Sequence, residues 1–280
     1  MTTDDAPVRL PAAATDAHAH VMTGPAGSVP GAAYTPFEAP VERFLAHLDR
    51  LGLQRGVLVT PSVYGPNNTV LLDALHTAPD RLRGVAVLDA NDGDDVLADL
   101  DAAGVRACRA QDNPLGGDHL RGLLALQDRV RGLGWHVEVW THPWAHRDLL
   151  RAAAGRGRLL LDHLGLLPAP PAGEQDPAVP LLRDLLNAGD VWVTLSGGYR
   201  LLPGARETDA AYALRRRVDA VLAAAPDRVV WGTDWPYVNP PGPAPTAAEH
   251  QTVLDTWLPD SDSRQRVLVD NPARLYQWPT

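Results

Sequence analysis

Eight short runs of β-branched and apolar residues recur along the chain at a spacing of about 30 residues, the length of one strand–helix unit. They are Thr15–Val21 (TDAHAHV), Gly56–Ser62 (GVLVTPS), Arg83–Asp89 (RGVAVLD), Gly104–Arg109 (GVRACR), Trp135–Trp140 (WHVEVW), Leu159–Leu164 (LLLDHL), Val191–Ser196 (VWVTLS) and Val229–Trp235 (VVWGTDW). Between them lie amphipathic segments with helical periodicity, among them Val41–Leu51, Asp118–Leu133 and Glu207–Ala225. Alternating strand and helix specifies an α/β fold with parallel strands, and eight units favour closure into a (β/α)8 TIM barrel. The open, doubly wound alternative lacks its fingerprint, because no G-x-G-x-x-G follows the first run. No linker, internal repeat or low-complexity tail interrupts the 280 residues, so residues 1–280 are read as one barrel domain.

Loop lengths indicate which end of the barrel carries function. The long Gly/Pro-rich stretches, Met22–Pro40, Gln111–Asp118, Leu166–Pro180 and Pro236–Thr246, all follow strands. Helix-to-strand connections such as Leu51–Gly56 are short. A barrel that spends its extra chain on strand-to-helix loops is building its carboxyl-end face, where barrel active sites lie.

Composition narrows the chemistry. The formal charge of −9 disfavours nucleic acid and anionic membrane surfaces as partners. All 25 basic residues are arginine, so Schiff-base lysine chemistry, carbamylated-lysine metal bridges and P-loop lysines are excluded. Arginine is also the better side chain for holding a carboxylate with two parallel hydrogen bonds. The single cysteine, Cys108, excludes an intramolecular disulfide and a Cys-rich metal site and reads as a small core residue. The start of the chain (MTTDDAPVRL) has acids where a signal peptide needs bases, and no apolar run is long enough to span a bilayer. A cytoplasmic location is expected, and a homo-oligomer is compatible with all of this.

The candidate chemical residues sit at strand ends. His18 and His20 in DAHAH are two apart on the first strand, so both point to one face, about 7 Å apart along it, and can chelate a metal. Ten histidines would produce about 0.4 such pairs by chance, so it is the placement on the first strand that gives the pair weight. His163 closes the sixth strand in LLLDHLG, and Asp234 closes the eighth in VVWGTDWP. A helix cap does not explain Asp234, since Pro236 follows and the next helical pattern begins near Thr246. Its two flanking tryptophans suggest a desolvated carboxylate with a raised pKa, suited to a general base. Arg106 and Arg109 on strand four have opposite parity, so only one can face the barrel mouth. Arg200, after strand seven, and the neighbouring Tyr199 are further candidates for gripping a substrate carboxylate, and Arg200 is expected beside Asp234. Ser62 and Tyr64 could add hydroxyls, or simply belong to a turn built on Gly65-Pro66-Asn67, and Trp140 ends strand five.

With His18, His20, His163 and Asp234 in this order, the chain resembles the amidohydrolase superfamily, in particular the branch of 2-pyrone-4,6-dicarboxylate lactonases. The resemblance runs through DAHAHV, LGLQRGVLVTPSVYGPNN, RGVAVLD, GVRACR, LGWHVEVW, LDHLG, VWVTLSGGYR, PDRVVWGTDWP and NPARLYQW, nearly the whole length. It implies a (β/α)8 barrel that hydrolyses a small carboxylated lactone. In that reading Asp234 activates water and His18, His20 and His163 polarise the carbonyl or hold one zinc; no metal is obligatory. Arg109, Arg200 or Arg106, with Tyr199, Ser62, Tyr64 and Trp140, would contact the anionic substrate. Two departures bear on metals: the chain lacks the strand-four lysine of two-metal relatives, and its fifth strand ends on Trp140, with His136 at the opposite end and His142 beyond it. A two-metal centre is therefore not expected. Thr194 and the sequence GVRA also replace the lysine and GVRG of many relatives. The alternatives are a zinc-dependent decarboxylase of an aromatic or semialdehyde acid, and an inactive barrel serving as a binding protein.

Overall fold

The computed structural model describes residues 10–89, 92–112, 120–240 and 242–279. Its eight parallel strands, numbered in chain order, are β1 (Thr15–Ala19), β2 (Arg55–Val59), β3 (Leu82–Ala86), β4 (Val105–Gln111), β5 (His136–Trp140), β6 (Leu159–Leu161), β7 (Val191–Leu195) and β8 (Val229–Trp231). Each pairs with the next in sequence, so the order around the sheet is the order along the chain. The sheet closes through one isolated bridge, Ala19 to Trp235, making a nearly closed (β/α)8 barrel. At this seam Gly232 is obligatory: a Cβ there would meet His18 N at 2.6 Å.

All eight strand-like runs become strands, but most are shorter than the sequence pattern. β6 stops at Leu161 and β8 at Trp231, because His163 (φ 50°) and Asp234 (φ 61°) adopt left-handed conformations that end pairing. Helix α1 (Val41–Leu51) matches its expected bounds; Val41, Phe44, Leu48 and Leu51 face the strands, and Gly52 at φ 76° terminates it. The Asp118–Leu133 pattern becomes a helix over Leu123–Val130 and a turn over Arg131–Leu133, while Asp118 lies outside the described residues. The helix at Glu207–Ala224, one residue short of its expected end, packs between the helices Ala178–Ala188 and Ala247–Trp257.

Inward-facing residues follow strand parity. Val57, Val59, Val85, Ala107, Leu160, Trp192 and Val230 form the inner core, and the C-terminal Leu275, Tyr276 and Trp278 plug its lower end. Arg55 and Arg83 cap that plug, their guanidinium carbons 5.3 and 5.2 Å from the Trp278 ring. Cys108 is buried with a free thiol. Among the described residues no helix is long and apolar enough to cross a membrane.

Candidate active site

A bulge in the first strand brings its histidines inward. Asp16 pairs with Gly56 but Ala19 with Leu58, so β1 carries one residue more than β2 across this interval. The His18 and His20 rings stand 5.0 Å apart, nearly perpendicular, and the His163 ring lies 4.7 Å from His18. His20 Nε2 approaches Asp234 Oδ1 at 3.8 Å. His18, His163 and Asp234 each present a ligand atom within 4.8 Å of the others. Strands β1, β6 and β8 thus deliver their ends to a single cluster.

The hydrogen bonds assign roles to individual atoms. His20 Nδ1 lies 2.8 Å from the Val59 carbonyl, which can only accept, so the proton sits on Nδ1 and Nε2 keeps its lone pair. That lone pair faces Asp234 Oδ1, which has no hydrogen-bond partner among the described residues. Two acceptors held this close call for a water or a cation between them. His163 Nδ1 contacts the Ser196 hydroxyl at 2.8 Å, which can donate or accept. Burial first, then neighbouring positive charge, holds His18 and His163 well below the usual histidine range and His20 at about 4, so all three are neutral at pH 7.

Asp234 departs from expectation. Burial pushes its carboxyl up, but the charge and the hydrogen bond of the Arg200 guanidinium act the other way, and it stands below the usual carboxylate range. Arg200 Nε donates to Oδ2 at 2.6 Å and the Tyr199 hydroxyl donates to the same oxygen at 2.7 Å. The expected raised pKa is therefore corrected: Trp235 packs outward on Phe44 and His47 and Trp231 on His250, and the buried ion pair with Arg200 keeps the carboxyl low. Gly197 (φ 58°) makes room for this arrangement, since a Cβ there would lie 2.8 Å from His163 Nδ1 and 3.3 Å from Asp234 Oδ2. Glu207 accepts from the N–H groups of Gly198 and Tyr199, fixing the turn that carries Arg200.

Above this cluster lies a cavity of about 310 Å³, lined by His20, His163, Arg109, Arg200, Ser62 and Trp140, together with Tyr34, Gln111, Asp112 and Asn239. Parity decides between the two arginines of β4. Arg109 faces inward and donates to Asp162 Oδ2 at 3.1 Å, whereas Arg106 points out of the barrel to Asp101, which rules it out as a substrate contact. Two other expected contacts are also corrected. The Tyr64 hydroxyl donates to the Gly24 carbonyl and accepts from Thr23 N, tying down the loop after β1. Tyr199 does not line the cavity; its hydroxyl is spent on Asp234.

Sequence reasoning missed the layer beneath. Glu138 and Asp162 are fully buried, with His18 Nδ1 3.6 Å from Asp162 Oδ1 and 4.0 Å from Glu138 Oε2. Tyr276 of the C-terminal plug donates to Glu138 Oε1 at 2.8 Å. Burial pushes both carboxyls well above their ordinary range. These two with His18 form a second group able to approach a metal ion. A charged residue at an inward parity position, as in WHVEVW, was the available clue.

The donor chemistry of the upper cluster suits a divalent metal such as zinc: neutral imidazoles, an ionised carboxylate and orphaned buried lone pairs. Comparison with known proteins gives the same lineage. The amidohydrolase family profile matches residues 15–278. A Rhizobium radiobacter protein named 4-sulfomuconolactone hydrolase is 33% identical over 279 residues, covering 95% of this chain and 91% of its own. A 2-pyrone-4,6-dicarboxylate hydrolase of Comamonas testosteroni is 31% identical, covering 97% and 92%. The crystal structure of a probable 2-pyrone-4,6-dicarboxylic acid hydrolase from Acinetobacter baumannii, with citric acid bound, superposes with a TM-score of 0.78 at 27% identity, over 95% of this chain and 100% of that one. Matched from its first barrel strand to its C-terminal plug, the chain belongs to the amidohydrolase family of hydrolases.

Proposed function

We propose that this hydrolase opens a small lactone bearing a carboxylate or a similar anionic group. The observation that carries the reading is the divided carboxylate of Asp234: Oδ2 is held by Arg200 and Tyr199, while Oδ1 is buried, without a hydrogen-bond partner among the described residues, and turned toward His20 Nε2. A base so placed can take a proton from a water without losing its position. The water oxygen then attacks the lactone carbonyl, the ring C–O bond breaks, and Asp234 returns its proton to the departing ring oxygen. With Ser196 donating to Nδ1, His163 carries its proton on Nε2 and can donate to the carbonyl oxygen as charge develops there. Only Nε of Arg200 is engaged among the described residues, so its terminal nitrogens remain for the substrate anion, while Arg109, held by Asp162 and the Thr60 carbonyl, adds positive charge at the cavity wall. These cations face the cavity in a chain of net charge −9, which makes them a local funnel for an anion.

We infer that the reaction needs no obligatory metal, or one zinc held by His18, His20, His163 and Asp234. Zinc bound there would act as a Lewis acid on the carbonyl and lower the pKa of a bound water. A two-metal centre has no support: the chain contains no lysine, and His136 of β5 is buried beside Tyr276 at the plugged end.

The test is turnover of 2-pyrone-4,6-dicarboxylate, 4-sulfomuconolactone and a neutral δ-lactone, followed by ring opening and by CO2 release, with zinc content measured on the same protein. Ring opening of an anionic lactone is expected, falling by about 10² or more in Asp234→Asn with the fold intact. Failure to open any of the three, or an Asp234→Asn variant within a few-fold of wild type, rejects the reading; CO2 release instead would make it a decarboxylase.

A further inference from the structure

We propose that Asp16 and Thr233 are positioning residues that lock the barrel seam and thereby set where the Asp234 carboxylate stands. This rests on the reading of Asp234 as the working base.

The seam is the thinnest part of the sheet. β8 ends at Trp231, and beyond it the connection to β1 is the single bridge of Ala19 with Trp235. Two backbone bonds cross there, His20 N to Trp235 O at 2.7 Å and Asp234 N to His18 O at 2.9 Å. Side chains supply the rest. Asp16, fully buried, accepts at Oδ1 from His18 N (3.2 Å) and Thr233 N (2.9 Å), and at Oδ2 from the Thr233 hydroxyl (2.5 Å). The Thr233 hydroxyl in turn accepts from Trp235 N at 3.1 Å. One carboxylate therefore holds the backbone of a histidine on one side of the seam and Thr233 on the other, and through the Thr233 hydroxyl it reaches Trp235, the second neighbour of Asp234.

That matters because Asp234 is held at φ 61°, a conformation that a residue with a Cβ keeps only when its surroundings over-determine it. Without the Thr233 hydroxyl, Trp235 N and Asp16 Oδ2 lose their partners, and the segment is free to relax toward an ordinary backbone. Its carboxylate then leaves Arg200 and turns away from His20. Both carboxylate oxygens of Asp16 and the Thr233 hydroxyl are spent on the bonds of the seam, so the two residues act through Asp234. Misplacing a reacting group by about 1 Å costs about 10²-fold in rate, so the effect belongs in kcat.

The experiment compares Thr233→Val, which removes the hydroxyl, with Thr233→Ser, which keeps it, and with Asp234→Asn as the reference. The substrate is whichever of the three lactones the wild type opens fastest. Thr233→Val is expected to lower kcat about 10²-fold with KM within about threefold, and Thr233→Ser to stay within about threefold of wild type. In a crystal structure of Thr233→Val, Asp234 Oδ2 is expected to have left Arg200 Nε. A Thr233→Val enzyme with wild-type kcat, or one whose crystal structure keeps the Arg200 contact, overturns the proposal. If Thr233→Val does not fold, Asp16→Asn replaces it: the amide oxygen still serves both N–H groups, kcat is expected to fall about tenfold, and an unchanged kcat overturns the proposal. If Asp234→Asn turns over normally, or no lactone is opened, the hydrolase reading fails, and the crystal structure alone decides about Asp16 and Thr233.

Discussion

Removing the Arg200 guanidinium should move the acid limb of the pH–rate profile toward neutrality. Arg200 Nε lies 2.6 Å from Asp234 Oδ2, with the carboxylate fully buried and the arginine side chain 26% exposed. Two unit charges about 4 Å apart attract by about 4 kcal/mol at an effective dielectric of about 20. Partial exposure, and water entering the space left by the side chain, roughly halve that, leaving about 2 kcal/mol of stabilisation lost, a factor of about 30 in the acid dissociation constant. Burial, the largest influence on Asp234, then acts unopposed by Arg200 and pushes the carboxyl up. In Arg200→Ala the acid limb of kcat/KM should therefore shift upward, while Arg200→Lys, which keeps the charge, leaves it low. Arg200→Lys separates the second role: loss of the planar fork should raise KM about tenfold for anionic lactones and little for neutral ones. Stopped-flow or spectrophotometric pH profiles from pH 4 to 9 provide the measurement. An acid limb unmoved in Arg200→Ala would refute the electrostatic argument, and equal KM losses on charged and neutral lactones would show that Arg200 only supports its loop.

Gly232→Ala should open the seam, since the new methyl would meet His18 N at 2.6 Å and His18 Cβ at 2.7 Å. Overpacking of about 1–3 kcal/mol predicts a Tm lower by about 2–5 °C, read by calorimetry, and an unchanged Tm would contradict the close approach. Glu138→Gln tests the buried layer. A carboxyl whose folded pKa is raised binds more protons in the folded state between its ordinary value, about 4, and neutrality, so stability falls as pH rises through that window. Urea unfolding at pH 5 and 8 should show a smaller loss for the variant than for wild type; parallel losses would remove Glu138 from the account.

The architecture was legible because short β-branched and apolar runs and short helix-to-strand turns are local features that burial on both faces reinforces. Val41, Phe44, Leu48 and Leu51 alone define α1, and Gly52 ends it. The strand ends were less legible for a physical reason. His163 and Asp234 continue apolar, strand-like runs in sequence, yet both take left-handed backbone conformations that only tertiary bonds can hold. The long strand-to-helix loops did mark the carboxyl-end face, and the cavity lies there.

The site itself was half legible, and the division follows from how far each argument reaches. Strand parity is local, so it could state that Arg106 and Arg109 face opposite ways; which faces inward required the register with Glu138 and Asp162. The proximity of Arg200 to Asp234 followed from the adjacency of strands seven and eight, and the ion pair is present at 2.6 Å. The ionisation of Asp234 did not follow from its flanking tryptophans, because desolvation and Coulomb attraction act on it with opposite sign and only the distance to Arg200 decides between them. The same logic makes the pair responsive to substrate. An anion that draws on Arg200 weakens its hold on Asp234 Oδ2, and the carboxylate becomes a stronger base at the moment the cavity is filled. Basicity is then coupled to the charge of the ligand, so an anionic lactone should be favoured over a neutral one in kcat as well as in KM, a difference that the paired substrates can measure.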